Sequence, residues 1–140
     1  MVIKVIPPER DSDRWGQGHF GAPRGSRTHN GIDYQCTPGS VVLSSVNGTV
    51  SKLGWVYSQR DRNHFRYVEI TTQDNHRHRY FYVKPIVPEH APIEVGDAIG
   101  VVQTLQDIFP GIQDHVHYEI MVEGDFVNPA NYDFLFGGDA

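Results

Sequence analysis

The chain has 140 residues, 39% of them hydrophobic, a formal net charge of −5 and a single cysteine. That length suits one domain, residues 1–140, able to bury about 70% of the surface its unfolded form exposes. The mild acidity gives no footing for nucleic-acid binding, Cys36 alone cannot close an intrachain disulfide, and the start, MVIKVIPPERDSDRW, reads as neither signal peptide nor membrane span.

In chain order, residues 7–31 are rich in Gly, Pro, Ser, Asp and Arg and read as irregular structure. From residue 41 short apolar runs alternate with turn signals. VVLSSV (41–46) ends at Asn47-Gly48, a hairpin signal, and GTVSKLGWVY (48–57) follows. FRYVEITT (65–72) meets the polar turn QDN, and HRHRYFYV (76–83) stops at KPIVP. AIGVVQTL (98–105) leads into a short helical turn near 104–110, and HVHYEIMV (115–122) is the last long run. The runs are β-branched and aromatic, and no window carries a helical apolar stripe. The expected fold is all-β, with antiparallel sheets.

Two stretches carry chemistry. In HVHYEIMV, strand alternation puts His115, His117, Glu119 and Met121 on one face and Val116, Tyr118, Ile120 and Val122 on the other. The second set suits the core. The first projects two imidazoles whose α-carbons lie roughly 6.5–7 Å apart, too far to share one ion without distortion. One can bind a metal while the other stands beside a water. In RTHNGIDY (27–34), His29 and Asp33 flank Asn30-Gly31, which favours a turn over a helix and can fold the carboxylate back beside the imidazole. Two imidazoles and one carboxylate suit catalytic zinc, which keeps a fourth position for water. His76 and His78, interleaved with Arg77 and Arg79, read as a solvated strand face. His19, His64 and His90 lie in loop-like contexts, and Cys36 has no base assigned to activate it.

The order HFGAPRGSRTHNGIDY, VNGTVSKLGW, IEVGDAIGVV, DHVHYEI, GDFVNP resembles the lysostaphin-type zinc endopeptidases, also called the duplicated hybrid motif, over about residues 18–130. The resemblance implies an antiparallel scaffold with a groove floored by strands and walled by loops. It implies one zinc held by His29, Asp33 and His117, with His115 facing the water. It implies hydrolysis of peptide bonds in bacterial peptidoglycan, often next to glycine or D-alanine. The chain departs from the pattern at FYVKP: the family's Tyr-x-His-Leu histidine corresponds to Lys84, followed by Pro85. By alternation Lys84 shares a face with Tyr82 and Tyr80, so its ammonium is a candidate oxyanion stabiliser.

Two readings follow. One is a zinc endopeptidase acting on a peptidoglycan or other peptide, phage- or prophage-encoded, cytoplasmic until released or carried on a virion. The other is a metal-retaining binding module that grips a peptide or partner protein in the groove. The complete ligand set favours the first and the missing histidine the second.

Overall fold

The computed structural model describes residues 7–10, 18–24, 27–57 and 64–137; the apolar start at 1–6 and residues 11–17 of the irregular segment lie outside them. Among the described residues thirteen short strands run in chain order: β1 Pro23–Arg24, β2 Arg27–Thr28, β3 Gly31–Gln35, β4 Val41–Leu43, β5 Gly48–Trp55, β6 Arg66–Thr71, β7 Arg77–Phe81, β8 Val83–Pro85, β9 Pro92–Ile93, β10 Ala98–Val102, β11 His115–Val122, β12 Asp125–Val127 and β13 Leu135–Phe136. A 3-10 turn covers Pro129–Asn131, and every strand pairing among the described residues is antiparallel. The all-β expectation holds. Among the described residues no helix is long and apolar enough to cross a membrane.

The strands form three sheets. The largest runs β12-β11-β7-β6-β5-β9, with β3 also paired to β11; a second runs β13-β4-β10-β8; β1 and β2 make a small ribbon. The main core contains Val116, Tyr118 and Ile120 from β11, Tyr80 from β7, Val68 and Ile70 from β6, and Val42 and Ile99 from the second sheet. Each fully buried aliphatic or aromatic side chain of this kind contributes about 1.5–3 kcal/mol. Alternation on β11 therefore falls as its pattern requires, with the apolar set inward.

Register then places the chemistry. His117 stands opposite Asp33 on β3 and opposite Phe81 on β7, so all three share one row of the large sheet. Beside it, the row through Glu119, Arg79 and Glu69 is bonded across three strands: Arg79 donates to Glu69 at 2.7 Å and to Glu119 at 3.2 Å.

Two expectations change, and the short helical turn expected near 104–110 is present. Asn47-Gly48 makes no hairpin, because β4 and β5 belong to different sheets and the chain crosses between them there. Asn47 Oδ1 instead accepts from the Val95 amide, and a Cβ on Gly48 would strike the Thr71 carbonyl, so this glycine permits a close approach. His78 does not sit on a solvated face. It is fully buried, because the even positions of β7, His78 and Tyr80, are the inward ones. The segment after β10 forms a hydrogen-bonded turn, Phe109 N to Leu105 O at 2.9 Å, and extends no further as a helix.

Candidate metal centre

A bend at Asn30 leads from His29 into β3, which sets Asp33 beside His29, and antiparallel pairing sets β11 beside Asp33. A Cβ on Gly31 would collide with the Tyr118 carbonyl and lie 3.0 Å from Cε1 of His117, so glycine is what lets the His117 ring close on this segment. Three donor atoms converge. His29 Nε2 lies 3.0 Å from Asp33 Oδ1, His117 Nδ1 lies 2.9 Å from the same oxygen, and the two nitrogens are 2.9 Å apart. These are the three residues whose spacing and resemblance pointed to a ligand set, and they form a group able to hold a metal ion.

The surrounding hydrogen bonds test whether a cation fits. His29 Nδ1 donates to the His19 carbonyl at 2.9 Å, which leaves the Nε2 lone pair facing inward. His117 Nε2 donates to Glu119 Oε1 at 2.8 Å, which turns the Nδ1 lone pair to the same point. Two lone pairs and a carboxylate oxygen, largely buried, repel one another unless positive charge stands among them. Donor atoms around tetrahedral zinc sit roughly 3.3 Å apart for bonds near 2.0–2.1 Å, close to the separations found. The residues fit the ion.

Electrostatics agree. Burial pushes Asp33 up, but the neighbouring imidazoles of His115, His117 and His29 hold it well below the ordinary carboxylate range. Burial pushes His117 down, yet bonds to Asp33 and Glu119 and their charges carry it up to about 9. The cluster is organised for a cation. Arg10 adds a buried ion pair, Nη1 to Asp33 Oδ2 at 2.9 Å, while the Arg10 amide donates to the Asp33 carbonyl at 2.6 Å. The oxygen facing the imidazoles is thus left to them, and the other is held by arginine.

His115 stands apart from the triangle. Its Nδ1 donates to the Gln113 carbonyl at 2.7 Å, and its Nε2 is 3.7 Å from Asp33 Oδ2. Burial lowers its pKa against the pull of Asp33, which favours the neutral ring, and with Nδ1 bonded to a carbonyl that ring carries its lone pair on Nε2. A groove of about 360 Å³ opens on these residues, walled by Val56, Tyr57, Tyr82, Leu105 and Phe109 among others.

Lys84 is exposed on β8, paired with Val101 of the second sheet, and is not among the groove-lining residues. The face expected to unite Tyr80, Tyr82 and Lys84 does not form. Tyr80 points into the core, where its hydroxyl meets Ser45, and Tyr82 has a left-handed φ of 69° that interrupts the alternation and turns its ring into the groove. Such a backbone costs about 1–3 kcal/mol for a non-glycine residue and persists only where the surroundings enforce it. Cys36 is buried, its thiol pushed up to about 12 by burial, and it too is absent from the groove wall. His19, His64 and His90 are exposed. Sequence reasoning missed Arg10, which reaches Asp33 from 23 residues away with no local motif. It placed Glu119 on the right face without giving it a partner; the H-x-H-x-E spacing was the available signal.

The family model for peptidase family M23 matches residues 27–129, which include His29, Asp33, His115 and His117. The chain belongs to peptidase family M23. The peptidases of this family are zinc-dependent. Mouse leukocyte cell-derived chemotaxin-2 is 34% identical over 110 residues, 79% of this chain and 71% of that protein. Chicken myeloid protein 1 is 31% identical over 117 residues, 79% of this chain and 34% of that protein. The fold is shared with the catalytic domain of the antimicrobial peptidase lysostaphin from Staphylococcus simulans, at TM-score 0.65 and 20% identity over 88% of this chain and 97% of that one. It is shared too with the catalytic domain of the prophage-encoded M23 protein EnpA from Enterococcus faecalis, at TM-score 0.63 and 22% identity over 89% and 95%.

Proposed function

We propose that this M23 chain is a zinc-dependent endopeptidase, with His29, Asp33 and His117 as the metal ligands and His115 as the proton carrier. The observation that carries it is the convergence of His29 Nε2, Asp33 Oδ1 and His117 Nδ1 beside a separately held His115. Zinc bound there would acidify a water and polarise a carbonyl. The chain's residues do the rest. His19 and Glu119 fix the two ligand tautomers, and Arg10 holds the outer oxygen of Asp33. His115 Nε2 takes a proton from the attacking water as its oxygen adds to the scissile carbonyl carbon. It returns that proton to the amine as the C–N bond breaks. Val56, Tyr57, Leu105 and Phe109 keep bulk water from one side of the groove.

Peptidoglycan stem or cross-bridge peptides are the substrate class that the resemblance favours, and lysostaphin, a fold neighbour, is described as an antimicrobial peptidase. The sequence relatives from mouse and chicken are vertebrate proteins and lend the phage setting no support. The test is metal analysis of the purified protein together with hydrolysis of purified cell walls and of a synthetic pentaglycine peptide, with and without chelator. One zinc per chain and chelator-sensitive cleavage are expected. Full zinc with no cleavage of any wall peptide would overturn the enzyme reading and leave the second one, a metal-retaining binding module. That reading is favoured by one finding: the sequence relative at 34% identity is named as a chemotaxin.

A further inference from the structure

Beside His115 stands a pair of phenols. Tyr82 and Tyr57 meet hydroxyl to hydroxyl at 2.8 Å, and the Tyr82 ring stands nearly perpendicular to the His115 ring, 84° and 5.3 Å between centroids. Both line the groove with His115 and His117. Tyr82 reaches it by breaking strand alternation. Phe81 faces the groove and Val83 is fully buried in the core, so a regular strand would send residue 82 to the side opposite Phe81. The left-handed backbone of Tyr82 places two consecutive residues, 81 and 82, on the groove. Its backbone is held there from both sides: the Tyr82 amide donates to the Arg66 carbonyl at 2.8 Å and its carbonyl accepts from Gln103 at 2.9 Å. Backbone strain that tertiary bonds enforce beside a reactive cluster points to a functional side chain.

We propose that Tyr82 is a catalytic residue, a hydrogen-bond donor to the oxygen that becomes negative as water adds to the substrate carbonyl. The inference rests on the peptidase reading, and it gives Tyr82 the role that sequence alternation had offered to Lys84. When the Tyr57 hydroxyl donates to the Tyr82 oxygen, the Tyr82 O–H is directed onward. It keeps its proton throughout. His115 carries the proton from water to amine, and Tyr82 stabilises the charge formed between those two transfers. A neutral donor fixed before the reaction needs no reorganisation at the moment charge develops.

The test is Tyr82→Phe, which removes one oxygen and keeps the ring. On pentaglycine, kcat is expected to fall about 10²–10³-fold with KM nearly unchanged, the scale for losing one oxyanion donor. A second readout does not depend on turnover: calorimetric titration of the zinc-loaded protein with a phosphinic analogue of tetraglycine, whose tetrahedral oxygens mimic the addition species. Tyr82→Phe is expected to weaken that binding about 10²-fold while leaving zinc content and binding of unmodified tetraglycine unchanged. Tyr82→His, which keeps an N–H donor on this segment, is expected to recover part of both losses. Lys84→Ala is expected to change neither.

If wild type cleaves pentaglycine and Tyr82→Phe matches it in kcat and in phosphinate affinity, the assignment fails while the peptidase reading stands. If wild type binds the phosphinate but cleaves nothing, the peptidase reading fails, and a Tyr82→Phe loss of phosphinate affinity still upholds the donor. A wild type that neither cleaves nor binds the phosphinate overturns both.

Discussion

Each face of the large sheet carries a shielded histidine, His117 on β11 toward the groove and His78 on β7 toward the core, and the two behave oppositely. On the groove face His117 lies between the carboxylates of Asp33 and Glu119, at 2.9 and 2.8 Å, and is raised to about 9. On the core face His78 bonds the Tyr118 hydroxyl at 2.6 Å through Nδ1, has no hydrogen-bond partner on Nε2 among the described residues, and is lowered to about 4, chiefly by burial and then by nearby His76. Burial opposes the charged form in both. What differs is the partner: two carboxylates outweigh desolvation, and one phenol does not. One imidazole is kept where positive charge is wanted, the other where a neutral polar side chain completes a network with Tyr118, Tyr80 and Ser45.

The comparison breaks most sharply at His117. His117→Ala leaves two protein ligands, so zinc content by elemental analysis is expected to fall from one per chain to none, and hydrolysis to background. Full zinc retention would remove His117 from the centre. His115→Ala separates chemistry from metal: zinc stays, and kcat falls about 10²–10⁴-fold, the range for a positioned acid or base. Loss of zinc in that variant would exchange the roles of the two histidines.

The core histidine has its own prediction, in acid. An unfolded histidine protonates near 6.5, whereas folded His78 resists until about 4. Between those values the unfolded chain holds the extra proton, so falling pH destabilises the fold. The contribution is full above about 6.5 and lost as pH drops toward 4, by on the order of 3 kcal/mol in all. Urea unfolding at a series of pH values is expected to show that slope in wild type and a shallower one in His78→Gln. Parallel slopes would mean that carboxylates such as Asp33 account for all of the acid loss.

This contrast also marks what the residues alone revealed. The faces of β11 were legible because eight residues alternate without a break and the apolar set is unambiguous. The ligand segment was legible as non-helical because Asn30-Gly31 disfavours a helix, but where a turn was expected there is a bend at Asn30 and then β3. The side of β7 was not, since HRHRYF offers polar and aromatic residues at both parities, and only the register with β6 and β11 decides that His78 and Tyr80 go inward. Asn47-Gly48 misled because a turn dipeptide says where a chain reverses and not which sheet receives it. Tyr82 was misplaced because alternation presumes a regular backbone, and its left-handed φ is enforced by Arg66 and Gln103 from distant segments. Arg10 could be found only by folding the chain.

The smallest of these effects tests the groove face most finely. Glu119 touches no candidate ligand position itself; one oxygen accepts from His117 Nε2 at 2.8 Å and the other from Arg79 at 3.2 Å. In Glu119→Gln only one oxygen remains. If it faces His117, Arg79 meets an amide N–H where it had an acceptor. If it faces Arg79, the His117 N–H loses its acceptor, and the inward lone pair on Nδ1 is no longer assured. Either way the negative charge that favours a cation beside His117 is gone. Zinc affinity, measured by competition with a chromogenic chelator, is expected to weaken about 10–100-fold, as for loss of other partners that orient a ligating histidine. The fold should persist, because Arg79 keeps its 2.7 Å bond to Glu69. Unchanged affinity would show that Asp33 and the strand register alone orient the His117 ring, and that the opposition between the two shielded histidines rests on one carboxylate instead of two.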